Sequence, residues 1–138
     1  MELAIHAQQM GSLALGLVEN HEIVKKSEAL VLPEAYLKTI DEALRAWEAS
    51  LDSLIGVVVV TGPGSFTASR VSTTIANTIG FSRGIPVTGV ENPQSLSLEE
   101  LLRSPQTAQI PAPFVLPTYN RPANITTPRS FVGINTVE

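Results

Sequence analysis

The chain has 138 residues, 43% hydrophobic and 16% charged, with a formal net charge of −4 and no cysteine. That length suits one compact domain with a core, and the missing cysteines exclude disulfides, thiolate catalysis and Cys-based zinc sites. The charge argues against a free-standing nucleic-acid binder, which needs clustered basic residues, and here only Lys25 and Lys26 are adjacent.

In chain order, "ELAIHA" and "GSLALGLVEN" read as two strands, and "HEIVKKSEA" as a third, with Glu19-Asn20-His21-Glu22 as the hairpin turn. Three strands in quick succession predict an antiparallel meander. Pro33 sits where a first helical turn tolerates a missing N–H. From there to about Ala49, the positions Leu37, Ile40, Leu44, Trp47 and Leu51 recur at three- and four-residue steps, the apolar stripe of an amphipathic helix. Glu34–Lys38 and Asp41–Arg45 are i,i+4 pairs on its outer face. "LIGVVVVTG" is a continuous apolar run, expected for a strand covered on both faces.

A second helix is predicted from about Ser65 to Ser82, with Gly84 as its stop. "IPVTGVE" reads as a fifth strand and "SLSLEELLRS" as a short helix. The order β-β-β-α-β-α-β-α predicts an α/β layered fold, with helices covering a mixed sheet. Six prolines fall between Pro105 and Pro128, where hydrophobic periodicity disappears. The expected division is therefore a domain at residues 1–104 and an extended tail at 105–138 that packs along the domain or a partner. "NIT" at Asn124 matches a glycosylation acceptor. The N-terminus lacks the basic start of a signal peptide, so that match is read as chance and the expected location is cytoplasmic, without a membrane span.

The loop Thr61-Gly62-Pro63-Gly64-Ser65 is neither a Walker P-loop nor G-x-G-x-x-G: no Lys follows the second glycine, and Pro63 removes one N–H. The helix start beyond it still offers N–H groups and a partial positive dipole, so weak anion affinity is one reading. The other is a tight glycine turn with Ser65 or Thr67 capping the helix. Along that helix, Val71, Ile75 and Ile79 form a bulky stripe expected to pack on the sheet. Beside it, Ala68, Ser72, Ala76 and Gly80 form a small-residue stripe that would admit another helix, either the chain's own first helix or a partner's. The only histidines, His6 and His21, lack metal-ligand spacing, and no Ser-His-Asp trio stands out. No catalytic residue, metal site or cofactor is expected.

The run "GPGSFTASR" followed by "GIPVTGVE" resembles the hallmark of the bacterial TsaB (YeaZ) family. "ELAIHA", "SEALVLPEAYLKTIDEAL" and "LPTYNRPA" resemble that family's first strand, first helix and closing segment. The family motif loop then corresponds to Gly62, Pro63, Gly64, Ser65, Phe66, Thr67 and Arg70. The resemblance implies an actin-like ATPase (ASKHA, RNase H-like) domain with a mixed five-stranded sheet. It also implies a non-catalytic subunit of the machinery that makes N6-threonylcarbamoyladenosine in tRNA. Its partner would be a TsaD-type catalytic subunit, with a TsaE-type ATPase joining the assembly.

That contact would be a bundle of the first two helices, with Tyr36, Thr39, Ala43, Ala68, Ser69, Ser72, Thr73 and Ala76 as candidate interface residues. Without the partner, the same face would pair two copies into a homodimer. Members of this family carry two tandem domains, whereas this sequence runs from the end of the first, near Arg103, almost directly to the closing segment. His6 and Ala7 stand where the family has Asp and Thr, removing the carboxylate of the first phosphate/metal motif. The alternatives to the scaffold are a nucleotide-binding actin-like ATPase or phosphotransfer enzyme, and a diverged homodimeric interaction module.

Overall fold

A computed structural model describes residues 1–103 together with Val115 and Leu116. The expectations for the proline-rich stretch and for Asn124 lie outside the described residues. Five strands form one mixed sheet: β1 (Glu2–His6), β2 (Leu13–Glu19), β3 (Glu22–Ala29), β4 (Gly56–Gly62) and β5 (Val87–Glu91), in the spatial order β3-β2-β1-β4-β5. The predicted meander is present, with β1–β2 and β2–β3 antiparallel, while β4 joins β1 and β5 joins β4 in parallel. Asn20 and His21 both take positive φ, the geometry of a two-residue hairpin turn whose twist matches the strands it joins.

Three helices cover the sheet: α1 (Tyr36–Ala46), α2 (Phe66–Arg83) and α3 (Leu98–Leu102). Pro33–Ala35 forms a 3₁₀ turn before α1, with Pro33 in its first position as expected. Strand alternation sorts the core into two sides. Leu3, Ile5, Leu13, Leu15, Leu17, Val57 and Val59 pack with α1 and α2, whereas Ala4, Val60 and Val90 belong to clusters with Leu98 and Leu101 of α3. Both crossovers, β1-side to β4 and β4 to β5, place their helices on one face, so α1 and α2 run parallel. Arg83 at the end of α2 reaches Asp52, beyond the end of α1, at 2.6 Å and ties those ends together. No helix among the described residues is long and apolar enough to cross a membrane.

One predicted position differs from that observed. Leu37 of α1 is 62% exposed, and the core contribution of that helix comes from Tyr36, Ile40, Ala43 and Leu44. On α2, Val71 and Ile75 are half-buried and pack against the main core with the buried Ile79, while Ala68, Ser72, Ala76 and Gly80 are buried too, so the small stripe is used inside the chain's own fold. Ile79 is buried as expected. Asp41–Arg45 forms at 3.0 Å, and Glu34–Lys38 is not among the ion pairs of the described residues.

Candidate functional site

The carboxyl ends of β1, β4 and β5 meet at the glycine loop. This is the edge where open α/β sheets hold ligands. Pairing of β4 with β5 shifts register after Val60, so Gly62 stands opposite Glu91 and the chain turns out of the sheet there. Gly64 is required by close approach: a Cβ on it would lie 2.3 Å from the Gln8 carbonyl oxygen. That same carbonyl accepts the Ser65 N–H at 2.8 Å, and Asn92 N–H donates to Gly62 O at 2.7 Å. Ser65 then caps α2, its hydroxyl accepting from Ala68 N–H at 3.2 Å, and Gly84 closes the helix in the left-handed conformation. Of the two proposed caps, Ser65 is the one used.

A network of neutral side chains fills this strand-end position. Gln8 donates one amide hydrogen to Pro63 O and the other to Asn92 O, the latter at 2.6 Å. Asn92 donates to Gln8 Oε1 and to Leu96 O, both at 2.9 Å, and its Oδ1 accepts from Leu96 N–H at 2.9 Å. His6 Nε2 lies 3.3 Å from Gln8 Oε1 and 3.4 Å from Asn92 Nδ2, so the tautomer decides whether it donates to the first or accepts from the second. Burial lowers its pKa below the usual value, with the Gln8 bond opposing that shift. Gln8 and Asn92 are buried, and neither stands out in the sequence as a site residue. Only the loop geometry brings them together.

The second candidate surface is the outward side of α1 and α2. The structure brings the two helices together as expected, yet most of the residues predicted to meet a partner lie inside the fold. Tyr36, Ala43, Ala68, Ser69, Ser72, Thr73 and Ala76 are all buried, and Thr39 alone is partly accessible. The hydroxyls of Tyr36, Ser69 and Thr73 have no hydrogen-bond partner among the described residues. Accessible on α2 instead is a shallow depression lined by Thr67, Arg70, Val71, Thr74 and Ile75. Phe66, 50% exposed, and Phe81, 89% exposed, stand on the same helix, and the Arg70 guanidinium lies 5.9 Å from the Phe66 ring centre. No group of three or more His, Asp or Glu side chains that could hold a metal occurs among the described residues.

A third polar group ties α3 to the edge strand β3. Lys26 of β3 contacts Glu28 at 2.8 Å and Glu99 of α3 at 2.6 Å. The hydrogen bonds of Glu28 and Glu99 raise the Lys26 pKa, and that of Lys26 lowers Glu99. This is a half-exposed structural tie between α3 and the edge strand, worth about 0–1 kcal/mol.

This sheet order, with two helices on one face and a third on the other, is an actin-like (ASKHA) domain. The solved structure titled "YeaZ from Pseudomonas aeruginosa" superposes with a TM-score of 0.59 at 17% identity, covering 66% of this chain and 43% of that one. A second, titled as an uncharacterized protein with similarity to peptidase YEAZ from Pseudomonas aeruginosa, gives the same figures. The resemblance to TsaB (YeaZ) thus holds at the level of fold.

Residues 32–119 match the model of the TsaD family, described as tRNA N6-adenosine threonylcarbamoyltransferase. The match spans more than half of the sequence, and the chain belongs to that family. Two curated relatives carry the same description. One, from Geobacter metallireducens, is 47% identical over 53 residues, which are 38% of this chain and 16% of that protein. The other, from Geobacter sulfurreducens, is 31% identical over 87 residues, 60% of this chain and 26% of that protein. The matched stretches thus span about a quarter or less of the length of these relatives.

Proposed function

We propose that this chain is a non-catalytic scaffold subunit of the tRNA N6-threonylcarbamoyladenosine modification machinery, docking a TsaD-type catalytic subunit on its two-helix face. The observation that carries this reading is the chemistry of the strand ends. A phosphate or Mg²⁺ site there requires charge, normally a carboxylate for the metal. Here a neutral His6 and two amides bond to one another and to the loop, leaving little for a substrate to engage. Membership of the family named for the transferase supports the pathway. The accessible depression of α2 is shallow, and Phe66 and Phe81 are exposed on the same helix, which supports a protein partner over a small molecule.

The partner contact runs through Thr39, Leu37, Thr67, Arg70, Val71, Thr74 and Ile75, neighbours of the residues inferred from the sequence. In the absence of the catalytic subunit the same face pairs two copies, and the protein works in the cytoplasm, where tRNA is modified. Mixing the protein with a TsaD-type subunit at micromolar concentration, then measuring mass by light scattering after gel filtration, tests the reading. One species of summed mass is expected. Two separate species would overturn it.

A further inference from the structure

Outside both surfaces just described, Asn77 on α2 holds Val115. The Asn77 side chain donates to Val115 O at 2.8 Å and accepts from Val115 N–H at 2.8 Å. This is the reciprocal pair that two residues exchange in an antiparallel ladder. A helix cannot otherwise offer such a pair, because its own backbone groups bond along the axis. A carboxamide is chemically a peptide group, with a donor and an acceptor side by side, so Asn77 presents one rung of a sheet on the side of a helix.

The floor of the same place is cleared for a side chain. A Cβ on Gly89 of β5 would meet Thr61 Cγ2 at 3.0 Å, Val115 Cγ1 at 3.1 Å and Val115 Cβ at 3.2 Å, so the absent side chain leaves space that Val115 shares with Thr61. Val115 packs against the main core, while the next residue, Leu116, is 73% exposed. Inward and outward side chains in succession are the mark of an extended segment.

We propose that Asn77 and Gly89 form a peptide-docking socket, specific for an extended segment bearing a small branched side chain and filled in cis by Val115. Specificity has two parts. The amide reads the backbone of one residue, and the glycine floor admits valine but leaves no depth for an aromatic ring. Tethering raises the effective concentration of the resident segment to about the millimolar range, so free peptide at micromolar levels does not displace it. The socket is independent of whether a catalytic subunit binds the outward face of α2.

The test uses the full chain and a synthetic peptide spanning residues 112–118. Val115→Asp vacates the socket, since a carboxylate is not tolerated over the glycine floor. The peptide is expected to bind Val115→Asp at least tenfold more tightly than wild type, by calorimetry, and adding Asn77→Asp should abolish that binding. Asn77→Asp keeps the acceptor but sets a carboxylate oxygen against the Val115 carbonyl, so in the otherwise wild-type chain the Val115 amide should exchange with solvent more than tenfold faster. Equal peptide affinity for wild type and Val115→Asp, no binding to a Val115→Asp chain of native circular dichroism, or unchanged exchange in Asn77→Asp would each overturn the proposal.

Discussion

Gln8 spends all of its polar capacity inside the protein, and three chain segments depend on it: the end of β1, the glycine loop and the turn after β5. Gln8→Leu keeps similar volume but strands Pro63 O, Asn92 O and one Asn92 hydrogen. We expect a loss of about 2–4 kcal/mol, read from urea denaturation, because buried groups left unpaired cost about 1–3 kcal/mol each with partial relaxation. Tyr36 is the opposite case. Its hydroxyl is buried without a partner among the described residues and burial raises its pKa, so Tyr36→Phe removes a desolvated group and loses no bond. Stability should stay level or rise by up to about 1 kcal/mol.

His6 sets a pH dependence with a definite sign. Its folded pKa lies below the unfolded value of about 6.5, so the unfolded chain binds more protons as pH falls. Stability is therefore constant above about pH 6.5 and declines below it, until the depressed folded value is reached. The slope approaches about 1.4 kcal/mol per pH unit at most. His6→Gln should flatten that decline between pH 6.5 and 5, in denaturation curves compared at each pH. An equal decline in both proteins would remove His6 as its source.

At the scale of elements, the sequence announced most of the sheet and all three helices. The meander, the buried run at β4, the Ser65 cap and the Gly84 stop are each written in local residue chemistry. What was not legible is whether the small stripe of α2 packs within the chain or against a partner. Ala68, Ser72, Ala76 and Gly80 suit either, and their burial inside this fold is a tertiary outcome. Gln8 and Asn92 escaped for a related reason, since no spacing of amides marks two loops that meet only after folding.

The buried small stripe makes a paired prediction on α2. Ala76 is fully buried, so Ala76→Arg should cost more than about 3 kcal/mol and lose the cooperative transition at 37 °C. Thr74, two residues earlier and exposed, should accept Arg within about 0.5 kcal/mol. Thermal melts of the two variants check both, and an Ala76→Arg melt equal to wild type would place that stripe outside the core.

For the whole molecule, the account joins three observations. A family match covers residues 32–119, a neutral network fills the strand ends, and α1 and α2 lie parallel with an accessible, β-branched outer side. Together they describe a domain of actin-like fold with an exposed helical surface beside a strand-end network of neutral side chains. The loop motif and the segments that accompany it made the architecture readable from the sequence. The exposed residues of that surface became visible only when the buried ones had been assigned to the core.

The most direct measurement is calorimetric titration of a TsaD-type subunit into the wild-type protein and into Thr74→Arg, each first shown to be folded by circular dichroism. The account predicts a one-to-one complex at micromolar affinity or better with wild type, weakened at least tenfold by Thr74→Arg, because a charged side chain set in the α2 depression is left desolvated at the contact. No heat of binding with folded wild-type protein, or equal affinity for the variant, would contradict it.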